Sequence, residues 1–198
     1  MLLRDLAVIS QGMTTSGKGS GARQGGWRLS VVESSDIEGD AIRREGLRTI
    51  EVEQNAWTEK HLLRPYDVLV TARSQAVKVA LVPPETSRTV AASTLLVVRP
   101  FEPEAGMSHF LWYYLTSKQG RAAVAGRVVA GATIPTLSGA ALGELDLPDL
   151  PAHQLDTLAR FIEASEDAYR ASVEAARIGR DILRDAIVAE LAVGANLE

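Results

Sequence analysis

Gly131-Ala-Thr-Ile-Pro-Thr-Leu-Ser-Gly139 leads into Leu145-Asp-Leu-Pro-Asp-Leu-Pro151, and a helical pattern then runs unbroken to about Val193. Read in order, these stretches predict the close of a compact domain, a short strand, a proline stop and one long helix. Pro151 suits a first helical turn, and Gly194 suits the position just past the last. Heptad spacing gives one column of Leu155, Ile162, Tyr169, Ala176 and Leu183. A second column holds Leu158, Ser165, Ser172, Gly179 and Ala186, and a third, beside the first, holds Phe161, Ala168, Ala175, Ile182 and Ala189. Recurrence at seven residues over about five heptads is a coiled-coil signal. At 1.5 Å per residue such a helix spans roughly 60 Å, so packing it needs a partner of matching length. The alternative is a helix folded back over its own domain. Glu163, Glu166, Arg170, Glu174 and Arg177, on outer positions, read as a solvated face with i,i+3 and i,i+4 pairs.

Composition bounds the remainder. With 198 residues, 46% hydrophobic and 23% charged, the chain reads as one soluble globular domain plus an appendage. It contains no cysteine, which excludes disulfides, thiolate metal sites and cysteine nucleophiles and fits a cytoplasmic protein. No apolar run approaches the length of a membrane span, and Met1-Leu-Leu-Arg-Asp lacks a signal-peptide pattern. The net charge of −4 is unevenly placed: residues 1–143 carry 16 Lys and Arg against 13 Asp and Glu, whereas residues 144–198 carry 5 against 12. The acidity belongs to the helix, and the body is mildly basic, an imbalance small enough to mean nothing by itself.

Along the body, Leu3–Ser10 reads as a short helix or turn, and Thr14–Gly26 as a glycine-rich loop. Strand-like runs follow at Trp27–Val32, Thr49–Val52, Val68–Arg73, Val77–Val82 and Val90–Arg99. Ser108 is placed to cap a helix through Leu115 that is apolar nearly all round, hence buried. A second helix runs from Lys118 to about Ala125 and stops at Gly126. Strands first and helices after predict an α+β fold: a mixed α/β domain over 1–150, one long C-terminal coiled-coil helix over 151–194, and a tail at 195–198 that resembles a cloning remnant.

Catalytic signatures are scarce. Gly12-Met-Thr-Thr-Ser-Gly17-Lys18 approaches a phosphate-binding loop, but Gly19 follows where Ser or Thr would hold magnesium. Gly21, Gly25 and Gly26 also disfavour the helix whose N-terminus would face the phosphate. A nucleotide-dependent enzyme using this loop stays the weakest alternative; a loop presenting Lys18, Arg23 and Arg28 to a phosphate backbone is the better reading. His61, His109 and His153 have no metal-ligand spacing, and His109 reads as a core or cap residue. Asp67, in Pro65-Tyr66-Asp67, reads as a turn residue, and Phe110, Trp112, Tyr113 and Tyr114 as core rather than a base-stacking platform. No nucleophile with its base, no cofactor and no metal site emerges.

Several landmarks together carry a family resemblance. They are Leu6-Ala-Val-Ile-Ser-Gln-Gly12, Leu63-Arg-Pro-Tyr-Asp-Val-Leu-Val70, Val77-Lys-Val-Ala-Leu-Val82 and Ala91-Ala-Ser-Thr-Leu-Leu-Val-Val-Arg-Pro100. Phe110-Leu-Trp-Tyr-Tyr-Leu-Thr-Ser117 follows, and then the segment from Gly131 through Leu145-Asp-Leu-Pro148 to Pro151-Ala-His-Gln154. In order and spacing the chain resembles one repeat of the DNA specificity (S) subunit of type I restriction–modification systems. The resemblance implies a target recognition domain that reads half of a bipartite DNA site. It also implies a spacer helix that pairs antiparallel with an equivalent helix and docks methyltransferase (M) subunits, with the restriction (R) subunit as a further partner. One domain and one helix imply a half-subunit, naturally short or excised, that two copies would complete as a homodimer. Such a subunit is non-catalytic. The alternative of another class is a coiled-coil assembly module whose body binds protein.

For the reading of base edges, the residues point to Lys18, Arg23 and Arg28 in the first loop, and to Arg73, Gln75 and Lys78 around the turn after the Asp67 strand. Arg127 and Thr133 flank the Gly126–Gly131 loop as further candidates. Each has the alternative reading of an exposed solubilising side chain. The helix seam is expected to use Leu155, Leu158, Ile162, Tyr169, Ala176, Gly179, Leu183 and Ala186.

Overall fold

The computed structural model describes residues 1–15, 26–43, 45–74, 76–101, 105–129, 134–149 and 151–194. A 3-10 turn at Leu3–Asp5 opens the chain, and strand β1 follows at Ala7–Gln11. The helix or turn expected over Leu3–Ser10 is therefore mostly strand. Its alternation of buried Ala7 with exposed Val8 is that of a half-covered sheet face. Next come β2 (Trp27–Val32), a 3-10 turn at Ser34–Asp36, β3 (Ile37–Glu38), β4 (Ala41–Ile42) and β5 (Arg48–Val52). Gly39 and Asp40, at φ +56° and +64°, make the two-residue turn between β3 and β4, where the left-handed region is required. Helix α1 (Ala56–His61) precedes β6 (Val68–Thr71), β7 (Val79–Leu81), β8 (Thr89–Ala91) and β9 (Leu95–Pro100).

The strand expected over Val90–Arg99 is two strands in two different sheets. β1, β9, β6 and β7 form an antiparallel sheet in that order, while β5, β2 and β8 form another, with β2 and β8 parallel. A turn closed by the Leu95 amide on the Ala92 carbonyl (2.9 Å) carries the chain between them. Each sheet contributes to an apolar cluster among the described residues. Val32, Ile37, Leu63, Leu69, Ala80, Val82, Ala91, Leu95 and Val97 form one, and Met13, Leu29, Val31, Ile50, Val90 and Ala92 the other.

A buried ion pair joins these pieces. Asp67 is 1% exposed and receives two bonds from Arg99, Nε to Oδ1 at 2.8 Å and Nη2 to Oδ2 at 2.6 Å. The Arg64 amide donates to Asp67 Oδ2 at 2.8 Å, and Arg99 Nη2 also donates to the Leu62 carbonyl at 3.0 Å. Asp67 is thus a turn residue, as expected, with Tyr66 beside it at φ +67°. Leu62 bridges to Val90 of β8, so the pair in the four-stranded sheet reaches the three-stranded one.

Helices α2 (Ala105–Thr116) and α3 (Lys118–Ala125) cover the four-stranded sheet on β7, β6 and β9 through α2. Phe110, Leu111, Trp112 and Leu115 are buried. Ser108, expected as the α2 cap, lies inside the helix and is fully buried, because α2 begins earlier, at Ala105. Ser117 caps α3 instead, accepting from the Gly120 amide at 3.1 Å. At Gly120 a Cβ would sit 2.0 Å from the Tyr114 carbonyl oxygen, so the elbow between α2 and α3 requires glycine. A short α4 (Gly139–Gly143) follows. The short strand expected at Leu145–Leu147 is a single bridge, Leu2 to Asp146, tying this segment to the start of the chain.

Helix α5 spans Ala152–Gly194. The chain divides into two compact units, Met1–Ala159 and Arg160–Glu198, so the first two turns of α5 belong with the domain. Gly106 of α2 allows this, since a Cβ there would lie 2.9 Å from the Leu155 backbone. Asp67→Ala strands the Arg99 guanidinium beside a half-empty, dry site. It should cost about 3–5 kcal/mol in urea unfolding, against less than about 0.5 kcal/mol for Arg64→Ala, whose side chain is exposed.

Candidate nucleic-acid interface

The antiparallel register decides which loops meet. Gln11 pairs with Leu96 and Thr71 with Leu95, so the C-terminal ends of β1 and β6 and the N-terminal end of β9 share one end of the sheet. The first loop departs there: the Gly12 amide donates to Leu95 O at 2.9 Å and the Met13 amide to Ala91 O at 2.7 Å. The loop after β6 departs there too, its Ala72 amide bonded to Thr94 O at 2.8 Å. A third segment arrives from more than sixty positions later. Leu137 donates to Ala72 O at 2.8 Å, and Thr136 exchanges two backbone bonds with Val129, at 2.9 and 3.0 Å. Arg73 bridges to Thr136. Three separate stretches of sequence are thereby gathered at one sheet end.

Arg73 stands at the middle of this cluster, exposed, with no ion pair to a described residue. Val129 and Ile134 beside it are 68% and 50% exposed, apolar side chains left uncovered on either side of the paired backbone. An arginine flanked by apolar surface and irregular backbone can donate bidentate bonds to a base edge or a phosphate. Lys18, Arg23, Gln75 and Thr133 lie outside the described residues.

Lys78 has a different position from the one its sequence suggests. Its ammonium donates to Ser34 O at 3.1 Å and Ile37 O at 2.9 Å, fastening the β2–β3 connection to β7. Arg121 is likewise engaged, bonding Val77 O at 3.0 Å and Asp40 Oδ1 at 2.5 Å. Arg28 is exposed on β2, opposite Glu51 of β5. Arg127 follows α3, and its charge acts on Asp146. That carboxyl is held below its usual range first by a hydrogen bond from the Met1 amine, then by that amine's charge, with Arg127 adding a smaller pull. Arg48, which sequence reasoning passed over, ties the entry of the first loop to β5. Its Nη2 donates to Thr15 Oγ1 at 2.7 Å and its Nε to Glu33 Oε1 at 2.9 Å. Nothing in the sequence near Arg48 announces that role, which depends on a contact across 33 positions.

Residues 16–18 of the near-match to a phosphate loop lie outside the described residues; the Gly12 and Met13 amides that open it are bonded to the Leu95 and Ala91 carbonyls. Gly12 serves close approach, since a Cβ there would lie 2.2 Å from Ala92 O. His109 is buried beside Tyr66, ring centroids 5.7 Å apart. Among the described residues no group of His, Asp and Glu is placed to hold a metal ion, and no helix is long and apolar enough to cross a membrane.

On α5, Leu155 and Leu158 are half-buried and Ile162 is buried, whereas the later seam positions are open. Phe161, Tyr169, Ile182 and Leu183 are each more than 60% exposed, and Ala176, Gly179 and Ala186 are exposed between them. The outer face carries an intrahelical ladder in which Arg177 pairs with Glu174 at 2.7 Å and with Asp181 at 3.7 Å.

No family model and no curated protein matches the sequence. Solved structures do. The HsdS subunit from Thermoanaerobacter tengcongensis aligns with a TM-score of 0.58 at 16% identity over 86% of this chain. The chain has the fold of a type I specificity subunit. A chain from a structure of complex assembly and conformational transition in the type I R-M system gives 0.60 at 16% identity over 86%, and the S subunit from M. genitalium 0.51 at 13% over 84%. In the order named, the alignments cover 42%, 38% and 38% of those longer chains, so this chain spans about two fifths of their length. The mixed sheets and long C-terminal helix of the specificity-subunit fold are those expected from the sequence. Within that fold, Lys78→Ala should lower stability by about 1–2 kcal/mol, because two backbone carbonyls lose a charged donor. Arg73→Ala should change it by less than about 0.5 kcal/mol, and thermal unfolding of the two variants separates the roles.

Proposed function

We propose that this chain is the sequence-recognition subunit of a type I restriction–modification complex, itself non-catalytic, that reads one half of a bipartite target in double-stranded DNA. The observation that carries the reading is the specificity-subunit fold across 86% of the chain. The convergence of three loops around Arg73 at one end of the four-stranded sheet supports it. In this reading Arg73, Arg127, the first-loop residues Lys18 and Arg23, and Arg28 of β2 meet the DNA, as do Gln75 and Thr133. Arginine donates in a fork to O6 and N7 of guanine, and glutamine to N6 and N7 of adenine, while lysine neutralises phosphate as a point charge. Lys78 stays with the fold. The body, mildly basic, faces the nucleic acid, and the acidic helix lies away from it.

The open seam of α5 takes the helix of a second copy, so a two-fold pair presents two domains to a palindromic bipartite site and offers its helices to methyltransferase subunits, with the restriction subunit joining that assembly. The same exposed seam also suits a second reading, a coiled-coil assembly module whose body binds protein. Fluorescence anisotropy with the chain bound to its methyltransferase subunit separates the two. Recognition predicts target affinity that Arg73→Ala weakens by about 1–3 kcal/mol, relaxing specificity at one base position. The Arg23→Ala plus Arg28→Ala double variant should flatten the salt slope by about 1 per lost phosphate contact. An assembled complex with no preference for any DNA sequence would favour the assembly module. Methylome sequencing of cells carrying the gene with its methyltransferase should show a symmetric bipartite motif.

A further inference from the structure

Gly179 has no explanation within its own chain. It sits in the middle of α5, and a Cβ added there would meet nothing within 4 Å. Glycine is the poorest helix former after proline, so an exposed mid-helix position without crowding favours almost any other residue. Ten positions earlier, Tyr169 presents a large ring that is 64% exposed. Both lie on the apolar seam, Tyr169 in the first heptad column and Gly179 in the second.

In an antiparallel pair of helices, a residue of the first column faces one of the second column on the partner. Positions in contact then have a constant sum, which changes only in steps of seven. A sum of 348 sets Tyr169 into the gap at the partner's Gly179 and Leu183 against the partner's Ser165. Ala176 then meets the partner's Ser172, whose hydroxyl is already bonded to the Ala168 carbonyl at 2.8 Å and needs no other acceptor. Large meets small at the exposed layers, as close packing demands. The flanking charges select the same alignment: on the outer positions, where the sum runs two lower, Glu166, which makes no ion pair with a described residue, comes beside the partner's Arg180, a side chain 3.5 Å from its own Asp181, on both sides of the axis. Shifting by one heptad, to a sum of 341, sets Glu166 against the partner's Val173 and Leu183 against the partner's Leu158, losing both features; shifting the other way, to 355, keeps large against small but sets Glu166 against the partner's Ile187, so the charge pair decides between those two.

Resting on the reading that α5 pairs antiparallel with a second copy, we propose that the pair is centred at position 174, with Tyr169 seated over the partner's Gly179 and Glu166 paired to the partner's Arg180. The register is therefore written into this helix alone and needs no DNA to set it.

The absence of cysteine makes the register directly measurable. In the full chain, Ser165→Cys with Leu183→Cys should give a covalent dimer under mild oxidation, since the two sites face each other across the pair while standing eighteen residues apart in one chain. Neither single variant should cross-link, and nor should Ser165→Cys with Ala176→Cys. Light scattering on the untreated chain reports the pairing itself. A dimer in which the second double variant or a single variant links, or in which the first does not, overturns the register and leaves the pairing standing. A monomer at every concentration overturns both. As an independent check, Gly179→Leu should raise the dissociation constant at least tenfold. Glu166→Arg and Arg180→Glu should each weaken the dimer, and the combined swap should restore it; weakening without restoration overturns the charge pairing.

Discussion

The fork of Arg99 onto Asp67 is the contact through which the N-terminal domain becomes one body. A carboxylate with 1% exposure would be strongly destabilising alone. Here two guanidinium bonds and the Arg64 amide satisfy it, and the remaining reach of Arg99 to the Leu62 carbonyl fixes the chain entering β6. Arg99 belongs to the four-stranded sheet, while Leu62 and Leu63 bond to β8 of the three-stranded one. The pair is therefore a joint between sheets whose apolar faces alone would tolerate sliding. Nondirectional burial supplies most of the cohesion, and the charged fork supplies the alignment.

Alignment matters because the end of the sheet where the three loops meet is built from backbone bonds rather than from a rigid element. Residues near positions 12, 72, 93 and 136 meet only if β1, β6 and β9 hold their register. A slip of one residue in β9, which is buried on both faces, would exchange the side chains of those faces and separate the loops. The domain can then vary the residues carried on those loops while the strands beneath remain constrained by packing.

The long helix was legible because its signal is local: heptads, a leading proline and a closing glycine all lie within the segment. The α2–α3 pair and the turn role of Asp67 were legible for similar reasons. What escaped depended on partners distant in sequence. Val90 and Val97 look alike in one apolar run, yet β8 runs parallel to β2 and β9 antiparallel to β1 and β6. Lys78 and Arg73 are both cations near one turn, and only carbonyls some forty positions away distinguish the fastened lysine from the open arginine. Ser108 resembles a cap until the extra turn beginning at Ala105 places it inside α2. Arg48 offered no signal at all.

The compact unit ends at Ala159, two turns into a helix of 43 residues, so every strand and loop of the domain is complete before most of α5 begins. Length can consequently change in one part without disturbing the other. Inserting one heptad between Ala159 and the centre of the proposed pair would preserve the seam's phase and lengthen each arm by about 10 Å. The two copies would then separate by about 21 Å, roughly six base-pair steps of a duplex. For the proposed function, what is read and how far apart it is read are thus separately heritable: substitutions on the loops would alter the letters of a target, and helix length the gap between its halves.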